Sequence, residues 1–347
     1  MPPNSFLLPD TLRNWPWKEP IVNPNYCDVH AESVQWLESF DKLTPGARKA
    51  LFKGGFDIFC ALVYPEASLY NLRSGCDLMH TFFALDDETD DLDGPRAKEL
   101  CDIALHAVQN PDMSRPEGES VIGEITRQFW QRASANAPQA AQERFVKSWK
   151  LYLDSVVQQA QRRSASYLCT LDEYMTARRL NIGCDPSFVL LELSLDLDLP
   201  HEVMEHPAMV SVNSDIRDMT ILWNPELKAT QDLISYKKEV LTDSADYNII
   251  TVVMIECKTD LTGAVEWISN RFEELATHFL VTRKDILNHL DSCNSWGDAM
   301  DDQVKRYIDG LGQWIRGHDE WTFRSERYFG DHGIEVQEIR RIDIACP

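Results

Sequence analysis

Basic residues are scarce in this chain. Its 347 residues include 34 Lys and Arg against 56 Asp and Glu, which gives a formal net charge of -22. Nucleic acids and anionic membranes both require a basic footprint, so we expect neither as a partner. The chain also lacks any apolar run long enough to span a bilayer, so we expect no membrane anchor. An anionic substrate would therefore need metal ions or a local basic cluster in order to bind.

Signals for export and for disulfides are also missing. The first residues lack a charged segment followed by an apolar one, so we expect a cytoplasmic protein. The nine cysteines are an odd number, and they form no C-x-x-C pair and no zinc-finger spacing with histidine. Reduced thiols in the core are therefore favoured over disulfides or a zinc site.

Strand signals are equally rare. Polar and apolar residues alternate only over very short runs, and there is no Gly-rich βα turn. Apolar residues instead recur at helical spacing from Glu32 onward, which predicts an all-α protein of roughly a dozen helices. Residues 1–30 are rich in proline and tryptophan, so we expect them to lie across the body as a strap. The interhelical linker at 110–118 is short, which predicts one domain over 1–347.

An acidic cluster follows the apolar residues Phe82 and Phe83. On a helix, Asp86 and Asp90 lie on one face one turn apart, with Asp87 beside them. Mg²⁺ prefers oxygen ligands and usually takes one or two protein carboxylates. The C-terminal end of a helix repels carboxylates, and a bound metal would compensate for this. The cluster predicts a metal site at the end of a buried helix that opens into a cavity; a solvated helix end is the alternative.

A second polar stretch lies later in the chain. Gln231, Ser235 and Glu239 are spaced i, i+4 and i+8, so on a helix they share one face and offer three oxygen ligands. A polar helix face explains this spacing equally simply. Paired with the aspartate cluster, the stretch predicts a second metal site that faces the first.

Three sets of residues are candidates for binding a diphosphate between two such metal sites. They are Arg178 and Arg179 before a helix break at 181–183, Lys238 beside Glu239, and the pair Arg327 and Tyr328. Arginine offers bidentate donors to phosphate, lysine a point charge and tyrosine a hydroxyl. Each of these residues by itself is also compatible with a surface position or a salt bridge.

Further motifs run nearly from end to end of the chain. They are Leu8-Pro9-Asp10-Thr11-Leu12, Asn14-Trp15-Pro16-Trp17, Gly75-Cys76-Asp77-Leu78-Met79 before the aspartate cluster, Arg127-Gln128-Phe129-Trp130, Asp154-Ser155-Val156-Val157-Gln158-Gln159-Ala160, Pro186-Ser187-Phe188, Asp309-Gly310-Leu311-Gly312 with Trp314, and Ser325-Glu326-Arg327-Tyr328-Phe329-Gly330. With these motifs the whole chain resembles the class I terpene synthases, and most closely the mushroom sesquiterpene synthases of the protoilludene-synthase type.

The resemblance implies a fold and a set of residue roles. The fold would be a single-domain helical bundle around a central apolar cavity, with residues 320–347 as a C-terminal closing segment. Asp86 would be the metal-bridging aspartate, and Asp90 the third acidic position of the aspartate-rich motif. Arg179 would be the diphosphate sensor, and Gly183 the effector at the helix break.

Arg327 and Tyr328 match the C-terminal pair that contacts diphosphate on closure in this family. Lys238 would add a third positive group. The implied cofactor is Mg²⁺, in a cluster of about three ions, with Mn²⁺ as an alternative. The implied substrate is a prenyl diphosphate, and a monomer and a homodimer are both compatible with the sequence.

The second metal motif departs from the family pattern. The family reads N-D-x-x-S-x-x-x-E without a gap, whereas here Pro225–Gln231 separates Asn224 from Asp232. Proline excludes the residue before it from the α region, so Asn224 cannot belong to a helix continuous with Asp232. Gln231 therefore takes the position of the Asn, with a side chain one methylene longer.

The chemistry implied by the resemblance is ionisation of an allylic diphosphate to a carbocation. Aromatic ring faces stabilise cations, so we expect four rings to line the cavity. They are Phe82, Phe83, Phe188 and Trp314. Plain core packing is the alternative for each ring.

Three functions remain open. The first is a sesquiterpene cyclase that acts on farnesyl diphosphate with a humulyl-type 1,11-closure. The second is a synthase of acyclic alcohols, nerolidol from farnesyl diphosphate and linalool from geranyl diphosphate, which an imperfect second metal site would favour. The third is a metal-impaired homologue that binds prenyl diphosphates without converting them.

Overall fold

A computed structural model describes residues 5–41, 43, 52–89, 92–163, 169–223, 249–290 and 295–343. This part of the chain is almost entirely helical, so the all-α prediction is confirmed. The helices are α1 (Tyr26–Glu38), α2 (Phe56–Val63), α3 (Leu69–Thr89), α4 (Gly94–Gln109), α5 (Val121–Ser134), α6 (Gln139–Arg163), α7 (Leu171–Asn181), α8 (Cys184–Ser194), α9 (His201–Met204), α10 (207–223), α11 (Ile249–Glu256), α12 (Leu261–Leu290), α13 (Asp298–Arg324), α14 (Glu326–Phe329) and α15 (Gly333–Ile339). Within the described ranges, no helix is long and apolar enough to cross a membrane.

Helix α3 is enclosed by other helices along most of its length. It packs against α1, α2, α5 and α8, and its residues 72–82 are all buried. Asp77 is held inside by Arg73 and Arg132, whose Nε atoms lie 2.7 and 3.1 Å from its two carboxylate oxygens. Such pairing is needed because a buried carboxylate without a partner is strongly destabilising. The last turn, in contrast, leaves Asp86 and Asp87 exposed. An otherwise buried helix therefore ends in an accessible pair of aspartates.

Helix α13 approaches α2 closely enough for their backbones to touch. A Cβ atom at Gly317 would lie 2.5 Å from the carbonyl oxygen of Leu62. Carbon and oxygen atoms cannot approach to that distance, so only glycine allows this packing. The two helices consequently bring their aromatic residues, Phe59 on α2 and Trp314 on α13, into edge-on contact at 5.6 Å.

The N-terminal segment lies across α13. The Nε1 atom of Trp15 donates to the carbonyl oxygen of Gly312 at 2.9 Å. Arg316 donates from Nε to the carbonyl of Trp17 at 2.9 Å and from Nη2 to that of Leu12 at 2.8 Å. The short strand β1 (Ser5–Leu7) pairs antiparallel with β2 (Arg341–Asp343). The two ends of the described chain are therefore joined beside α13.

Candidate active site

A cavity of about 190 Å³ lies among α2, α3, α6, α7, α8, α10, α13 and α14. Most of the predicted site residues in the described part of the chain border it. They are Asp86, Phe82 and Phe83 from α3, Gly183 from the α7–α8 junction, Trp314 from α13, and Arg327 and Tyr328 from α14. Residues far apart in sequence are thus brought together as the motifs predict.

Aromatic rings form much of the cavity wall. Phe82 makes an edge-on contact with Tyr152 of α6, with ring centroids 4.8 Å apart. Phe83 is stacked on Phe56 of α2 at 3.8 Å. Because each ring is held by another ring, the wall offers fixed aromatic faces to the cavity.

Within the described structure, Phe188 contacts this wall without bordering the cavity. Its neighbour Ser187 borders the cavity, and consecutive residues of a helix point about 100° apart. Phe188 is directed instead to Trp314, with centroids 5.4 Å apart and an angle of 83° between the rings. Phe188 therefore supports a wall residue from behind.

Among the described residues, Asp86 is the acidic group that borders the cavity. Its carboxylate has no hydrogen-bond or ion-pair partner in the described ranges, although it lies at the end of a helix whose dipole disfavours negative charge. An unpaired hard oxygen donor in this position fits a divalent metal ion. The other predicted metal ligands, Asp90, Gln231, Ser235 and Glu239, lie outside the described residues, as does Lys238. Within the described residues, no three acidic, histidine or cysteine side chains form a metal cluster.

The junction between α7 and α8 depends on glycine. Gly183 adopts a φ of 78°, which side-chain-bearing residues rarely adopt. A Cβ atom there would lie 3.1 Å from the ring of Phe82. The carbonyl of Gly183 accepts a hydrogen bond from the hydroxyl of Ser187 at 2.7 Å. The chain therefore breaks directly at the cavity wall, and the end of α7 is directed into the cavity.

The two arginines at the end of α7 have different surroundings. Arg178 borders the cavity and donates from Nη1 to Oδ1 of Asn181 at 2.9 Å. Its Nε atom is buried without a hydrogen-bond partner in the described part of the chain. Arg179 forms a bidentate pair with Asp218 on α10, at 2.8 and 2.7 Å. In this arrangement Arg178 borders the cavity, whereas the guanidinium of Arg179 is occupied by Asp218.

The C-terminal pair completes the polar part of the cavity. The guanidinium of Arg327 lies 4.7 Å from the ring centroid of Phe83 and 5.9 Å from that of Tyr328. Tyr328 also contacts Trp321 edge-on at 5.5 Å. Burial raises the pKa of Tyr328, so its phenol stays protonated and able to donate. A positive charge and a hydroxyl donor therefore lie beside the aromatic wall.

Several cavity residues were not predicted from the sequence. Tyr152, Val156 and Gln159 reach the cavity from α6, and His318 and Trp321 reach it from α13. The three residues of α6 are spaced i, i+4 and i+7, so the sequence indicates that they share one helix face. The two residues of α13 lie on the same helix as Trp314, which was predicted. Spacing alone does not distinguish a face that lines a cavity from one that packs in the core.

Comparisons with known proteins identify the family of this chain. Residues 77–277 match the family model described as "Terpene synthase family 2, C-terminal metal binding". A Delta(6)-protoilludene synthase from Stereum hirsutum is 41% identical over 336 residues, which cover 96% of this chain and 86% of that protein. A Delta(6)-protoilludene synthase from Armillaria gallica is 39% identical, covering 98% and 93%.

Solved structures extend the likeness in fold. The crystal structure of germacradien-4-ol synthase from Streptomyces citricolor superposes with a TM-score of 0.75 at 19% identity, covering 92% of this chain and 98% of that one. At this level of identity, the similarity concerns the fold.

Proposed function

Because this chain belongs to the terpene synthases, metal-binding enzymes that cleave the carbon–oxygen bond of a prenyl diphosphate, we propose that it is a Mg²⁺-dependent sesquiterpene synthase acting on farnesyl diphosphate. The observation that carries this proposal is the composition of one cavity. Its wall combines Phe82 and Phe83 with Asp86, Arg178 and Arg327. A substrate with an apolar prenyl tail and a diphosphate end requires an aromatic surface next to charged groups of this kind.

Two positively charged groups and one hydroxyl donor bind the diphosphate, although the protein as a whole is acidic. Arg178 and Arg327 offer guanidinium donors, and Tyr328 offers a phenol. Arginine binds phosphate oxygens in a bidentate manner, and such charge-assisted hydrogen bonds are about twice as strong as neutral ones. Lys238 is proposed as a further donor. These residues hold the leaving group at the cavity edge and orient the allylic carbon toward the rings.

Metal binding is assigned to two groups of oxygen ligands. Asp86 and Asp90 form the first group, and Gln231, Ser235 and Glu239 form the second. When bound, about three Mg²⁺ ions supply the positive charge that stabilises the departing diphosphate, and Mn²⁺ is the expected substitute. Asp86 is suited to this role because its carboxylate borders the cavity.

The hydrocarbon part of the substrate meets rings that can stabilise a cation. The faces of Phe82, Phe83 and Trp314 provide this stabilisation through their quadrupoles. The guanidinium of Arg327 lies 4.7 Å from the ring centroid of Phe83, so this ring also lies next to the proposed diphosphate end of the site. Exclusion of water by the ring wall protects the cation until it has cyclised.

The product is proposed to be a cyclic sesquiterpene, in keeping with the protoilludene synthases among the relatives. The residues inserted at 225–231 favour a second candidate. By separating Asn224 from the rest of the motif, they leave Gln231 as a longer and less constrained ligand. A poorly held metal ion would allow water to capture the first cation, giving nerolidol from farnesyl diphosphate or linalool from geranyl diphosphate.

Purified protein should be incubated with Mg²⁺ and either farnesyl or geranyl diphosphate. Diphosphate release reports ionisation, and gas chromatography with mass spectrometry identifies the organic products. We expect release from farnesyl diphosphate with cyclic products, and its loss when a chelator is added. Acyclic alcohols as main products would select the second candidate. No release from either substrate would refute a synthase and indicate a homologue that only binds prenyl diphosphates.

A further inference from the structure

One face of α13 contributes a base to an otherwise aromatic part of the cavity wall. Trp314, His318 and Trp321 are spaced i, i+4 and i+7, which places them on the same side of the helix. All three border the cavity. His318 therefore lies between two indole rings, where the substrate's hydrocarbon part is proposed to bind.

The imidazole of His318 is buried and incompletely paired. Only 3% of the residue is exposed, and its Nδ1 atom has no hydrogen-bond partner in the part of the chain that the structure describes. A buried polar atom without a partner costs stability, so its presence calls for a function. Burial lowers the pKa of His318 to about 4. The ring is therefore neutral near pH 7, and one of its nitrogens carries a basic lone pair.

Other ionisable side chains along the described cavity wall are poor proton acceptors. Arg178 and Arg327 carry guanidinium groups, which donate hydrogen bonds and offer no acceptor. Burial raises the pKa of the Cys184 thiol to about 12, so the thiol also stays protonated. Tyr152 and Tyr328 carry phenol oxygens, which are much weaker bases than imidazole. The carboxylate at the end of α3 is assigned to the metal ion.

We propose that neutral His318 accepts the proton that is lost when the carbocation in this cavity becomes an olefin. The proposal rests on the proposed function, since it requires a cation formed by loss of diphosphate. In this step a C–H bond beside the cationic carbon breaks, and its electron pair becomes the second bond of a new C=C. The proton bonds to the imidazole lone pair, and the imidazolium returns it to solvent when the product leaves.

The surroundings of His318 suit this step. A C–H bond beside a cationic carbon is far more acidic than an imidazolium, so even a weakened base accepts its proton. The imidazole centroid lies 5.9 Å from that of Phe59 and 5.7 Å from that of Trp321. Those rings can stabilise the imidazolium once it forms. Because the base is a neutral imidazole and not a carboxylate, it places no anion beside the carbocation that could form a bond with it.

The test compares three substitutions at one position. His318→Phe removes the base and keeps a ring, whereas His318→Asn and His318→Gln keep a polar atom that is a much weaker base than imidazole. His201→Phe is the matched control, because His201 is partly exposed and pairs with Glu143 at 3.0 Å away from the cavity. Each protein is incubated with Mg²⁺ and farnesyl diphosphate, and diphosphate release and the olefin distribution are measured separately.

All three variants should release diphosphate within roughly fivefold of the wild-type rate, because ionisation precedes proton transfer. The share of the main wild-type olefin should fall by about tenfold or more, in favour of other olefins or alcohols. His201→Phe should change neither quantity. Diphosphate release by the wild-type protein tests the proposed function independently of the olefin distribution.

Two results would overturn the role of His318. The first is a wild-type olefin distribution in the Asn or Gln variant, which would mean that the released diphosphate takes the proton. The second is a wild-type protein whose products are all alcohols, because no C–H bond is then broken to discharge the cation. Three side chains of different size make the outcome independent of any one variant's folding.

Discussion

The adjacent residues Arg178 and Arg179 should respond in different ways to the same substitution. Arg178 borders the cavity, so Arg178→Ala removes a charge-assisted donor to the diphosphate. Losing such a hydrogen bond costs about 1.5–3 kcal/mol. Since each 1.4 kcal/mol is a factor of ten, the inhibition constant of inorganic diphosphate should rise roughly 10- to 150-fold. Some loss of stability should accompany this change, because Arg178 also hydrogen-bonds to Asn181 and to the buried Tyr174.

Arg179→Ala should lower the stability of the fold and leave diphosphate binding intact. Its guanidinium holds both carboxylate oxygens of Asp218, and the two side chains are 36% and 8% exposed respectively. Removing it leaves Asp218 without its bidentate partner. An unpaired buried group costs about 1–3 kcal/mol, and partial exposure of the arginine reduces this to about 1 kcal/mol. Inhibition by diphosphate should stay close to wild type.

Two measurements separate these effects. Inhibition of farnesyl diphosphate turnover by inorganic diphosphate is measured at fixed Mg²⁺, and thermal unfolding is followed without ligand. Arg178→Lys serves as the matched variant, since it keeps the charge and loses the bidentate geometry, and it should lie between wild type and Arg178→Ala. The reasoning is refuted if Arg179→Ala weakens inhibition tenfold while Arg178→Ala does not.

Three further predictions concern the metal sites and the buried histidine. Asp86→Asn should lose most turnover with an unchanged melting temperature, and near-normal rates in saturating Mg²⁺ would contradict its role as a ligand. Deleting 225–231 should raise the cyclic fraction of the products, and Gln231→Ala should reduce turnover more than Asn224→Ala; the reverse order would assign the ligand to Asn224. The pKa of His318 is about 4 in the folded protein, against an ordinary value of 6.5. Between these two pH values the imidazole is therefore protonated in the unfolded chain and neutral in the folded protein. Wild-type stability should therefore fall relative to His318→Phe as the pH is lowered from 6.5 towards 4, as thermal unfolding will show.

The sequence alone was sufficient to predict the helical class and the family. Helical periodicity is local, because residues three and four apart share a face whatever surrounds the helix. The aspartate cluster and the Arg327–Tyr328 pair are contiguous motifs, so their identity did not depend on knowing the fold. The helix break at Gly183 could also be predicted from the sequence, because glycine readily adopts the φ of 78° that the structure has there.

The choice between Arg178 and Arg179 required the tertiary structure. Both residues lie in one turn of α7, and their side chains point about 100° apart. Which one faces the cavity depends on the position of Asp218 on α10, about 40 residues later along the chain. The contact of Phe188 with Trp314 also required the tertiary structure, because the two rings belong to different helices, α8 and α13.

His318 shows the same division most clearly. In the sequence, His318 is one of several polar residues in a helix that also carries aromatic residues. Its burial cannot be inferred from its residue type. Only the packing of α13 against α2 places its ring beside Phe59 and along the cavity. Local residue spacing determines which side chains share a helix face, whereas the partners of that face are determined by contacts between distant parts of the chain.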